Sequence, residues 1–137
     1  MKTIVVGYDA SEGSRRALER AALLAGAFES QLVVTSVAPV TTSAAPRSIG
    51  ADPAETAGEH LAELVAARAY LESQGLAADY VEAVGRPGES ILAAAQERSA
   101  DMIVVGTRES GLLTRLLGGS VSETVSHRAH CDVLIVH

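Results

Sequence analysis

The 137-residue chain has one cysteine, one lysine, one phenylalanine, three tyrosines and no tryptophan. The lone Cys131 excludes an internal disulfide framework and a CxxC zinc site. The only lysine is Lys2, so there is no G-x4-G-K-[S/T] phosphate loop and no lysine in any later loop to clamp a transferring phosphoryl group. The G-x-G-x-x-G fingerprint is missing after the first strand pattern, which argues against a dinucleotide dehydrogenase. Cations are scarce: eleven Lys and Arg face 17 Asp and Glu, a formal charge of −6. That balance argues against non-specific nucleic-acid binding and against an anionic membrane surface. Long hydrophobic runs are absent as well. The opening MKTIVVGYDA reaches Asp9 after a short apolar run, and reads as neither a signal peptide nor a membrane span. The expectation is a single cytoplasmic domain over residues 1–137.

What is present is aliphatic. Apolar residues make up 47% of the chain, and 24 residues are alanine. Short β-branched runs at Thr3 to Val6, Leu32 to Val37, Met102 to Val105 and Val133 to Val136 suit parallel strands covered on both faces. Asp79 to Val84 alternates more and suits an edge. Helical stripes lie between them: Ala17, Leu18, Ala21, Leu24, Ala25 and Phe28, then Ala57, Leu61, Leu64, Val65 and Leu71, then Ile91, Leu92 and Ala95. Arg68 falls at the margin of the second stripe, its stem on the core and its head in water. Asp52 before Pro53 marks one helix start, and Ser120-Val121-Ser122-Glu123 has the spacing of a capping box for another. Strict alternation of strand and helix predicts an α/β fold with an open parallel sheet and right-handed crossovers. The stretch from Ala38 to Ala51 reads as a long loop, either a binding lid or a plain insert.

In such a sheet, ligands bind beyond the carboxyl ends of the strands. Gly7-Tyr8-Asp9-Ala10-Ser11 follows the first strand. Asp9 there can accept from a ribose hydroxyl or base amino group, or hold a metal; otherwise Asp9 or Ser11 simply caps the helix. The segment from Gly106 to Ser120 holds four glycines, two arginines and four hydroxyl residues. A helix start preceded by Gly118 and Gly119 presents free amides to an anion, and Arg108 adds a charge-assisted donor. Residues 101–137 carry three arginines against four acids, so this is the milder part of an acidic chain. His127, His130 and Cys131 lack a fourth ligand in sequence and read as a solvated helix end. Ser11, Ser14 and Ser110 have no evident base, so nucleophilic catalysis is not indicated.

The spacing G-x2-G-x9-G-[S/T] runs from Gly106 to Gly119-Ser120, with VVGYDASEGSRRAL before it and HCDVLIV after. In these features the whole chain resembles the universal stress protein family. The resemblance implies five parallel strands in the order 3-2-1-4-5, binding of ATP or another adenine nucleotide with or without Mg²⁺, and a homodimer through the fifth strand, Val133 to His137. It places Asp9 and Val37 at the adenine and ribose end and Gly106 against the ribose, with Ala10 and Ser11 also among the cofactor-binding residues. It places Gly119, Ser120 and Val121 around the phosphates, beside Arg108 and Glu109. It implies a regulatory module acting on an unidentified protein partner in stress response, non-catalytic or a very slow ATPase. Glu109 departs from the pattern, because the family has glycine there. A non-glycine residue held in a left-handed conformation costs about 1–2 kcal/mol. A carboxylate about 5 Å from one phosphate charge costs about 3 kcal/mol at an effective dielectric near 20. A dimer of the same fold that binds no ATP is the alternative.

Overall fold

The computed structural model describes residues 1–39, 53–107 and 121–137. The elements are β1 (Thr3–Tyr8), α1 (Glu12–Phe28), β2 (Gln31–Pro39), α2 (Pro53–Ser73), β3 (Ala78–Gly85), α3 (Pro87–Glu97), β4 (Met102–Gly106), α4 (Val121–Arg128) and β5 (Asp132–Val136). The five strands form one parallel sheet in the order β3-β2-β1-β4-β5. That is the order the resemblance implies.

Burial on both faces explains why the strands read as continuous apolar runs. Ile4, Val6, Leu32, Val34 and Val104 pack under α1 and α2. Val5, Val33, Ile103 and Val105 pack under α3 and α4. Alanines at 17, 21, 22 and 25 let α1 lie close to the sheet. Each fully buried aliphatic side chain contributes about 1.5–3 kcal/mol of transfer free energy.

The boundaries and two of the stripes differ from the sequence reading. β1 runs on through Gly7 to Tyr8, and β2 through Ala38 to Pro39, because both are held in ladders with their neighbours. Ala38 and Pro39, expected to open a long loop, therefore belong to β2, and residues 40–52, with Asp52, lie outside the described residues. Phe28 is exposed at the end of α1. On α2 the buried stripe is Leu64, Ala67 and Leu71, while Leu61 and Val65 are each 59% exposed. Arg68 lies outside that stripe, exposed, with its guanidinium 4.8 Å above the ring of Tyr80.

At the foot of the sheet, Asp101 ties β1 to β4. Its Oδ2 accepts from the amides of Lys2 at 2.7 Å and Thr3 at 2.9 Å, and its own amide donates to the Thr3 carbonyl. These two amides, with the positive charge of the amino terminus and Lys2, hold the Asp101 carboxyl below its ordinary pKa of 3.8.

Candidate functional site

The strand order reverses between β1 and β4. From β1 the chain passes through α1 towards β2, on one side of the sheet. β4 and β5 follow on the other side, with α3 and α4 on the opposite face. The connections diverge and leave a crevice beyond the carboxyl ends of β1 and β4, which is where open α/β sheets take ligands.

Asp9 leads out of β1 into this crevice. The Ser11 amide donates to Asp9 Oδ1 at 3.0 Å, and the Asp9 amide donates to Ser14 Oγ at 3.2 Å. Ser14 Oγ in turn donates to the Ser11 carbonyl at 3.0 Å. Ser11 is the N-cap of α1, its Oγ accepting from the Ser14 amide at 3.2 Å. Between Asp9 and Ser11, Ala10 sits in the left-handed region at φ 61°. That conformation costs a side-chain-bearing residue about 1–2 kcal/mol. The hydrogen bonds on either side of Ala10 hold it there and fix the direction of the Asp9 carboxylate.

The tip of β4 lies directly against this turn. A Cβ on Gly106 would stand 2.2 Å from the carbonyl oxygen of Gly13 and 2.9 Å from the amide nitrogen of Ser14. A Cβ on Gly13 would stand 2.3 Å from the Thr107 carbonyl oxygen. Thr107 is held from the other side, its amide donating to the Val136 carbonyl at 3.0 Å.

One strand over, β2 carries two fully buried hydroxyls, Thr35 Oγ1 and Ser36 Oγ, with no hydrogen-bond partner among the described residues. Ser36 stands in register with Tyr8, so Val37 and Asp9 each come one residue beyond a paired position. An orphan hydroxyl so near a crevice fits a ligand or a water that completes it.

The structure thus brings Asp9, Ala10, Ser11 and Gly106 together, with Val37 on the adjacent strand and Val121 at the first position of α4. Arg108, Glu109, Gly119 and Ser120 lie outside the described residues. Gly13, Thr35 and Ser36 were not singled out in sequence, and Ser14 was weighed there only as a nucleophile. Only Gly13, a poor helix former in a first turn, carries any local signal. Cys131 is half-buried between α4 and β5. Burial, then the charges of Asp132 and Asp101, push its thiol pKa up, which disfavours thiolate chemistry. A concavity of about 380 Å³ lined by Arg68, Glu72, Leu76 and Tyr80 lies at the foot of β3, at the far end of the sheet from the crevice.

Comparison with known proteins agrees with this geometry. The model of the universal stress protein family matches residues 1–137. The chain belongs to the universal stress protein family. A universal stress protein of Mycobacterium tuberculosis is 35% identical over 140 residues, covering 99% of this chain and 96% of its own. Another from Thermus aquaticus is 37% identical over 139 residues, covering 98% of both. A solved universal stress protein in complex with cAMP superposes with a TM-score of 0.77 at 32% identity, over 99% of this chain and 97% of its own. No helix among the described residues of this universal stress protein is long and apolar enough to cross a membrane.

Proposed function

We propose that this universal stress protein binds an adenine nucleotide in the crevice between β1 and β4. In this reading it works as a cytoplasmic homodimeric regulatory module for a protein partner. The observation that carries the reading is the crevice itself: an aspartate locked by the first turn of α1, beside a bare glycine tip. It occurs in a chain that shares its fold and a third of its residues with a cAMP-bound relative. Asp9 and the end of β2 would meet the nucleoside. The start of α4 and Arg108 would meet phosphate, by the preference of anions for helix N-termini. Bound nucleotide would bias the segments around the crevice, so that the partner reads the liganded state. With no lysine beyond Lys2 and no evident general base, the module is non-catalytic or turns over ATP very slowly.

Glu109 ranks the nucleotides. Its carboxylate costs less beside the single charge of a cyclic monophosphate than beside a triphosphate chain, unless Mg²⁺ bridges the two. Titration calorimetry without Mg²⁺ is expected to give tighter binding of cAMP than of ATP. Glu109→Gly is expected to tighten ATP by about tenfold or more, since 1.4 kcal/mol of relieved repulsion suffices. No heat with either nucleotide, in protein shown to be folded, would sink the reading in favour of a dimer that works by protein–protein contact alone. An unchanged ATP affinity in Glu109→Gly would remove the charge argument. Hydrogen exchange of residues 38–51 and 107–118 is expected to differ with and without nucleotide; identical protection would contradict the regulatory role.

A further inference from the structure

We infer that Gly13 and Gly106 form a backbone clamp that sets the position of the Asp9 loop relative to the tip of β4, so that both glycines are positioning residues of the nucleotide site. This rests on the proposed nucleotide crevice and names what holds its two sides in register. The family resemblance reads Gly106 as a residue lying against the ribose. The structure gives it a different task. Its missing side chain is taken up by the main chain of α1, with 2.2 Å from a would-be Cβ to Gly13 O and 2.3 Å to Gly13 C. Gly13 is bare for the reciprocal reason, the Thr107 carbonyl lying 2.3 Å from its would-be Cβ. Real Cβ atoms do not approach other atoms below 3.0 Å, and here the obstacles are backbone, which cannot swing away as a side-chain end can.

The clamp closes on the residue that matters. The third atom facing Gly106 is the amide nitrogen of Ser14, at 2.9 Å from the would-be Cβ. Ser14 is buried, and its hydroxyl accepts from the Asp9 amide while donating to the Ser11 carbonyl. A push from β4 is therefore delivered to the network that aims Asp9. The other side cannot yield either, because the Thr107 amide is fastened to Val136 of β5. Elsewhere the same sequence tolerates a Cβ: at Gly26, on the exposed side of α1, nothing lies within 4 Å. Gly7 and Gly88 would also crowd their neighbours, at 2.6 Å and 2.9 Å, but there the obstacles are the side chains of Ile91 and Thr124; among the described glycines only Gly13 and Gly106 meet backbone that closely. Gly106 is required whether or not a nucleotide binds, and it is not by itself a mark of nucleotide binding.

The test separates position from stability. Gly106→Ala and Gly13→Ala are each expected to lower the thermal midpoint of the ligand-free protein. They are also expected to shift the NMR amide signals of Ser11 and Ser14. Gly26→Ala stabilises α1, and added to either variant it is expected to restore part of the midpoint. In that background cAMP affinity is expected to stay about tenfold or more below that of Gly26→Ala alone. Recovery of full affinity with recovered stability would overturn the clamp as a positioning device. So would Ser11 and Ser14 amides that do not move. If the unmodified chain binds neither cAMP nor ATP, the proposed function fails while the amide shifts still decide the clamp. Should the alanine variants not fold, native-state hydrogen exchange of the unmodified chain decides it. Ser14 and Thr107 amides opening with one denaturant dependence support the clamp; separate dependences overturn it.

Discussion

At the scale of single residues, the crevice keeps features that a fold optimised for stability alone would discard. Ala10 holds a left-handed backbone, and Thr35 and Ser36 bury hydroxyls without partners among the described residues. A buried hydroxyl left unsatisfied costs about 1–3 kcal/mol. Thr35 is fully buried, so Thr35→Val keeps the shape and removes the penalty. It is expected to raise stability by about 1 kcal/mol, a few degrees in Tm for a chain of this size. Thermal unfolding followed by circular dichroism checks this, and a lower Tm would mean that the hydroxyl has a partner in solution. None of these features was legible in sequence. Left-handed Ala10 and the Gly13–Gly106 approach are properties of two segments meeting, and neither segment carries the other's geometry. Asp9 and Ser11 were legible, because a strand tip followed by a capping serine is a local pattern. Of the two residues read there as a possible cap, Asp9 and Ser11, the structure shows Ser11 as the N-cap of α1.

At the scale of elements, the strands were the easy part. Three of the runs, Thr3 to Val6, Leu32 to Val37 and Met102 to Val105, are nearly continuously apolar, and that run length is distinctive. The outlying strand Asp79 to Val84 alternated, and it does lie at an edge of the sheet. α2 was harder. Alanine reads as apolar on any face, so a helix rich in alanine offers overlapping stripes. Leu61 and Val65 were as plausible as Ala67, and only packing against β2 and β3 chose between them. Asp101 shows how the elements are tied together. Its folded-state pKa lies below the unfolded value, so its contribution is present above the ordinary carboxylate range and is lost as pH falls through the folded pKa. Asp101→Asn is therefore expected to flatten the acid limb of stability. Urea midpoints measured at pH 7 and at about pH 3 should differ less in the variant than in the parent. An equal loss in both would show that the two amide contacts do not matter.

At the scale of the whole molecule, the sheet has two edges of unlike character. β3 carries Asp79 and Glu82, charges of the kind that discourage pairing, and Asp79 is bonded to Gln31 and Arg98. β5 is Val133, Leu134, Ile135 and Val136 after a single acid, with β4 as its one neighbour in the sheet. An edge that is apolar beyond its first residue is a template for a second copy. Sedimentation equilibrium is expected to find a dimer at concentrations on the order of tens of micromolar, and Leu134→Lys or Val136→Lys to dissociate it. A monomeric unmodified chain would contradict this. The single lysine has a practical meaning at the same scale. Lys2 is exposed at the foot of the sheet, next to Asp101, while the crevice opens at the opposite end of β1. Attaching the protein to a sensor surface through that lysine would orient its molecules alike, each with the crevice turned outward towards the solution.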